Sequence, residues 1–296
     1  LATKFRTWVL VFAISLGYFL LGRLGTLLAM PPGYSTAVFP ASGLALFAVL
    51  RYGPTIWPGI LIGSFSLNAW ITFTNQNFSF INYIPTGLGI GAGACFEALA
   101  GAYLLKKMTG SQDPFASVKN ILVFIVFSSF VGSLFSASCG IGTLYLSELL
   151  TKDIILETWV TWWLGDSIGI MVITPILLVI SRPNPYKITP PLIIESFFLV
   201  ALTIAISKYT FEGLPRPMGF LTFPLLVWAA LRFEVTGATI SVFIVSIISI
   251  WETINGQGPF GGNSTTNESL ILVQTFIGVG APMALILAVN LLEKRK

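Results

Sequence analysis

Three ionisable residues lie inside long apolar runs: Arg23 in "LLGRLGTLL", Glu97 in "GACFEALAGA" and Asp166 in "WWLGDSIGIM". A charged side chain in hydrocarbon is expensive, so such residues face the interior of a helical bundle and mark sites or interhelical ties. Counted from Glu157, Asp166 lies about 14 Å below the outer end of its segment, at about 1.5 Å per residue. At about 100° per residue, Trp159, Trp162, Trp163, Asp166 and Ile170 share one face, and that face is expected to point inward. Arg23, between Gly22 and Gly25, is the natural cationic partner, since small neighbours allow close helix approach. The expectation is an Asp166–Arg23 contact, direct or through water, in a cavity open to the outside and walled by Trp162 or Trp163. A polar ligand entering from outside would compete for that pair. Glu97 lies near the midplane with Gly93, Ala94, Ala100 and Gly101 around it, a small-residue seam that suits helix packing more than ligand binding. At the outer end Asn68, Trp70 and Trp251 are further ligand candidates. The "NQNF" (75–78) and "NGQGPFGGN" (255–263) loops would act as lids there.

Other chemistry is excluded by what is missing. The chain has no histidine, which removes the commonest general base and metal ligand. Cys95 and Cys139 both fall in apolar spans, where free cysteine behaves as a small core residue. No second intramembrane aspartate faces Asp166, so a hydrolase of the paired-aspartate type has no catalytic set. No metal or cofactor is expected, and the residue pattern argues against nucleic acid as a partner.

The elements that position these residues are membrane helices. The 296 residues are 55% hydrophobic and 9% charged, with a mean hydropathy of +0.86. A soluble domain carries about 25% charged residues. The reading is an all-α, polytopic membrane bundle of about ten segments: 7–29, 38–51, 54–73, 82–105, 118–146, 154–181, 190–207, 218–231, 234–254 and 267–292. The second and eighth are short against the roughly 20 residues a span needs, as short spans or re-entrant halves. The first run is too long for a signal-peptide core. With the N-terminus inside and ten crossings, Lys4, Arg6, Arg51, Lys106, Lys107, Lys119, Arg182, Lys187, Arg232, Lys294, Arg295 and Lys296 fall inside. Only Lys152, Lys208 and Arg216 fall outside, which places both termini in the cytoplasm. "AVLRYGPT" (Ala48–Thr55) resembles "AALRFEVT" (Ala229–Thr236) at a fixed offset, and Trp70 then matches Trp251. One membrane domain, 1–296, with parallel repeats 7–107 and 190–294 is expected.

Four motifs in order carry a family resemblance. "LGTLLAMPPGYSTAVFPASGLALFAVLRYGPTIWPGILIGSF" (Leu24–Phe65), "WWLGDSIGIMVITPILL" (Trp162–Leu178), "FPLLVWAALRFEVTGA" (Phe223–Ala238) and "GQGPF" (Gly256–Phe260) resemble the first class of membrane-associated sensor domains. One departure is Glu234, where that pattern has glycine. The resemblance implies a bacterial inner-membrane input module that is not itself an enzyme. It would precede a cytoplasmic histidine kinase or diguanylate cyclase, joined after "LLEKRK". Its partners would be the bilayer, a small ligand or membrane protein, and the output domain; a homodimer is left open. Signalling would run through the last segment, whose Pro282 can kink it. The alternative is a secondary transporter for a small polar solute, which repeats, short segments and midplane charges also suit.

Overall fold

The computed structural model describes residues 2–27, 36–74, 80–182, 189–213, 218–261 and 266–295. Those residues form an all-α membrane bundle. The helices are α1 (Ala2–Leu27), α2 (Pro40–Tyr52), α3 (Trp57–Thr74), α4 (Phe80–Thr109), α5 (Val118–Val123), α6 (Gly132–Leu146), α7 (Ile155–Ile180), α8 (Pro190–Phe211), α9 (Phe223–Ile254) and α10 (Thr266–Lys294). A π-helical stretch, Phe124–Val131, joins α5 to α6 in one rod. Among the described residues, eight helical segments are long and apolar enough to cross a membrane. "Outer" below means the end where α1 finishes, after the charge bias.

The two short segments of the sequence stay short. The 13 residues of α2 reach about 20 Å at about 1.5 Å each, against a hydrocarbon core of about 30 Å. The segment containing 218–231 is the opening part of α9, and α9 is not one rod. Glu234 has φ 51° and ψ −139°, and a Cβ on Gly237 would collide with the Ala229 carbonyl. Residues eight apart in a straight helix are about 12 Å apart, so the chain reverses at Glu234. Leu226 and Val242 border one hollow, as a reversal requires, and the second arm then follows α8, with Arg232 on Glu195 near its start and Glu252 on Lys208 near its end. The break between α2 and α3 uses Gly53, at φ 88°. Gly53 and Glu234 are 181 positions apart (234 − 53), the offset that aligns the two "LR-aromatic" motifs.

Packing follows small residues. In lipid the gain comes from close van der Waals contact, because lipid tails are as apolar as the side chains. Gly59 and Gly63 of α3 bring it against Val11, Ile14, Ser15 and Tyr18 of α1. Gly93 and Gly101 of α4 seat on Cys139, Ser136 and Ser128, the seam expected around Glu97. On the other face of the rod, Ser129 Oγ donates to the Ser167 carbonyl at 2.8 Å. The half-length α2 packs between α1, α4 and α7; α3 joins α1 to α4 and α6 joins α4 to α7, while α9 and α10 pack on α7 and α8 packs on α9.

Candidate functional site

The site is built where α2 begins. Residues 36–39 lie along α7 in non-helical backbone, extended at Phe39, and Phe39 N–H donates to the Gly165 carbonyl at 3.0 Å. This contact needs Gly165 and Gly169: a Cβ on either would strike the carbonyl of Thr36 or Phe39. Pro40 then opens α2, where its missing N–H costs nothing. The first turn of α2 carries Ser42, whose Oγ donates to Asp166 Oδ1 at 3.0 Å. The carboxyl between the two α7 glycines thus meets the start of a helix in mid-bundle. Asp166 is 1% exposed and its Oδ2 has no hydrogen-bond partner. Gln274 of α10 closes the far side of this non-helical segment. Its Nε2 donates to the carbonyls of Ala37 at 3.1 Å and of Thr36 and Thr161 at 3.3 Å.

Glu97 lies behind Asp166, wholly buried, with Ser42 and Ser133 its nearest hydroxyls and neither carboxyl oxygen within hydrogen-bond geometry. Among the described residues no cation pairs with either acid. Above Asp166 a cavity of about 80 Å³ runs toward the outer ends of α1, α3 and α4, bordered there by Thr26, Thr72 and Thr86. Tyr18, Ser64, Asn68, Ser136 and Trp162 line its depth. At roughly 10–15 Å³ of such space per water, it holds several waters or one small molecule.

The expected residues divide into three groups. Asp166, Trp162 and Asn68 border the same cavity, and Glu97 sits behind it. Trp163 turns away: its indole N–H donates to the Phe130 carbonyl at 2.7 Å, and its ring stacks on Trp159. Arg23 does not pair with Asp166. Its guanidinium lies over the Trp70 ring, 5.3 Å from the centroid, because near the outer end of α1 a long side chain reaches an aromatic face more easily than a carboxyl deep in α7. Trp70 and Trp251 are 46% and 57% exposed and border no part of this cavity, as membrane-facing anchors do. The expected lid 75–78 lies outside the described residues, as do the last two residues of 255–263. The rest of the second loop is tied to the end of α8, with Gly258 N–H donating to the Gly213 carbonyl at 3.0 Å.

Sequence reasoning passed over Ser42, Tyr18, Ser64 and Gln274. Gln274 carried a signal, as an amide inside an apolar run; buried polar side chains in membranes are placed for a partner. Ser42 carried none, because nothing in "PASGLALF" reveals that a helix begins there opposite an acid.

Comparison with known proteins follows the same lines. A 215-residue stretch, 72% of the chain, is 26% identical to the probable diguanylate cyclase DgcE of Escherichia coli (strain K12). The matched stretch spans 18% of that protein's length. No solved structure matches. The family model named MASE1 matches residues 10–295. With that match running nearly end to end over a helical membrane bundle, the chain belongs to the MASE1 family of membrane sensor domains.

Proposed function

We propose that this membrane input domain receives a ligand in the outer cavity above Asp166 and passes the signal through α10. The observation that carries the reading is Gln274. One buried amide of α10 holds the carbonyls of residues 36 and 37, the segment that leads into α2 and Ser42. A ligand that moves the Asp166–Ser42 contact changes what Gln274 grips, and α10 is the last helix of the matched domain. Such a ligand shifts the bundle only as far as it binds two arrangements unequally. In this reading both termini are cytoplasmic in a bacterial inner membrane, 7–107 and 190–294 are parallel repeats, and a kinase or diguanylate cyclase follows α10.

The test uses the full-length protein in membranes. Gln274→Leu strands up to three carbonyls. Buried unpaired groups cost about 1–3 kcal/mol each, partly recovered by local shifts, so a loss of about 2 kcal/mol in stability is expected. The decisive readout is output activity, which should lose its dependence on stimulus while protein level at the membrane is kept. A stimulus response of normal size in Gln274→Leu removes α10 coupling through this amide. The half-length α2, starting in mid-bundle, favours a second reading as a transporter. Stimulus-dependent uptake of solute into proteoliposomes would select it.

A further inference from the structure

The geometry points to a binding site for a small organic ammonium ion in the cavity above Asp166. This deepens the input-domain reading: it takes from that reading the consequence of binding, but not the binding itself.

The sign of the ligand follows from the charges. Asp166 is the charged residue among those that border the cavity, with Glu97 buried directly behind it. Arg23, the nearest candidate for neutralisation on α1, is engaged with Trp70. An anion entering here would meet two carboxyl groups and no cation. A neutral polar molecule would leave the acid either protonated or uncompensated, and so gains no charge-assisted contact in this low-dielectric site. A cation relieves it.

The kind of cation follows from the donors and the walls. Asp166 Oδ1 already accepts from Ser42, and Oδ2 is buried with no partner. An ammonium N–H that displaces the side chains covering Oδ2 makes a charge-assisted hydrogen bond there. Trp162 lies one helical turn before Asp166, close enough for its indole N–H to act on that carboxyl, and its ring borders the same space beside the positive head. A bare metal ion instead wants a shell of oxygens, typically six or so for hard cations. Above the acid, between Asn68 and the threonines of the mouth, Ile71, Ile90, Leu144 and Leu149 form an apolar part of the wall, which suits a short alkyl tail. Head at Asp166 and tail toward the outside is the orientation that satisfies both ends. The volume, about 80 Å³, limits the tail to a few carbons.

The experiment is equilibrium dialysis of radiolabelled ethylammonium against the full-length protein in lipid nanodiscs, with output activity read in the same samples. Saturable binding of one ion per chain is expected. Asp166→Asn, which keeps the shape and an oxygen for Ser42, should weaken it about tenfold or more. Trp162→Leu should weaken it by about threefold, and Arg23→Gln should leave it unchanged. On the wild-type protein, which needs no substitution to stay folded, equimolar ethanol, acetate or sodium should fail to compete. Absence of saturable binding, full binding by Asp166→Asn, or displacement by equimolar sodium overturns the ammonium site. Binding that never alters output leaves the site standing and removes the sensory reading. No binding, with output still dependent on Gln274, removes the site and keeps that reading.

Discussion

The two helical hairpins of this chain, α2–α3 around Gly53 and the two arms of α9 around Glu234, use their outer halves in opposite ways. Above α2 the space is open, about 80 Å³, with Asp166 at its floor. Beside the first arm of α9 it is filled. Phe211, Phe223, Phe260 and Phe276 pack ring on ring with centroids 5.4–5.9 Å apart, and a hollow of only about 10 Å³ remains next to Phe276. One backbone device therefore holds a hole in one half and a plug in the other. The difference lies in side chains. Ser42 and Asp166 meet in the first half, whereas phenylalanines from α8, α9, α10 and the 255–261 loop meet in the second. Stability should concentrate at the plug and ligand response at the hole.

The largest effect should come from the plug. Phe211 is 1% exposed and touches Phe260 and Phe276. Phe211→Ala should cost about 3–5 kcal/mol, the usual loss for emptying a packed aromatic site, read as denaturant unfolding in detergent micelles. Trp162→Ala borders space that is already open, so its cost should be clearly smaller than that range. Equal losses at the two positions would abolish the distinction between plug and hole.

A middle effect separates the glycines. A Cβ on Gly169 strikes the Phe39 carbonyl, which is fixed backbone; one on Gly280 meets Phe223 Cε1 at 3.3 Å, a ring edge that can shift. Gly169→Ala should lose about 1–3 kcal/mol, as overpacking does. Gly280→Ala should lose well under that, because helix propensity favours alanine there. Gly169→Ala should also loosen the α2 start and so weaken ligand response, which Gly280→Ala should not.

Much of this molecule was legible in the sequence, for reasons that can be named. Apolar run length marks membrane helices because backbone polar groups must be satisfied within the segment. The α4 seam around Glu97 was legible because small residues at helical spacing serve only close approach. The shortness of 38–51 and 218–231 was visible as well, but not that α2 begins after extended backbone lying on Gly165 and Gly169. That contact joins residues far apart in the chain, and glycine spacing alone does not reveal what it admits. Asp166 and Trp162 were legible as a buried acid and an aromatic on one face. Trp163 shares that face by angle, yet its indole finds the Phe130 carbonyl in the π-helical stretch. Helical periodicity places a Cβ, not the partner a ring nitrogen will choose. The Arg23 pairing failed on reach, since sign alone decides nothing about depth.

The smallest effect tests the two breaks themselves. Gly53 takes φ 88° without a side chain to object, while Glu234 takes φ 51° with ψ −139°, a combination nearly reserved for glycine. A residue held there costs about 1–3 kcal/mol. The carboxylate offers something in return: it pairs with Arg295, the residue that follows α10, although such half-exposed pairs are worth only about 0.2–1 kcal/mol. Glu234→Gly should therefore raise stability, by about 1 kcal/mol once the added flexibility of glycine in the unfolded chain is subtracted. Glu234→Ala keeps the strain and loses the pair, so it should lower stability by a few tenths of a kcal/mol. If strain were absent, both would fall together. The sign also has a functional reading, since the Arg295 pair ties the exit of α10 to the break in α9. Glu234→Gly and Glu234→Ala share the loss of that tie and differ in stability. A change in basal output common to both variants would assign it to the tie, whereas a change that tracked stability would assign it to the backbone.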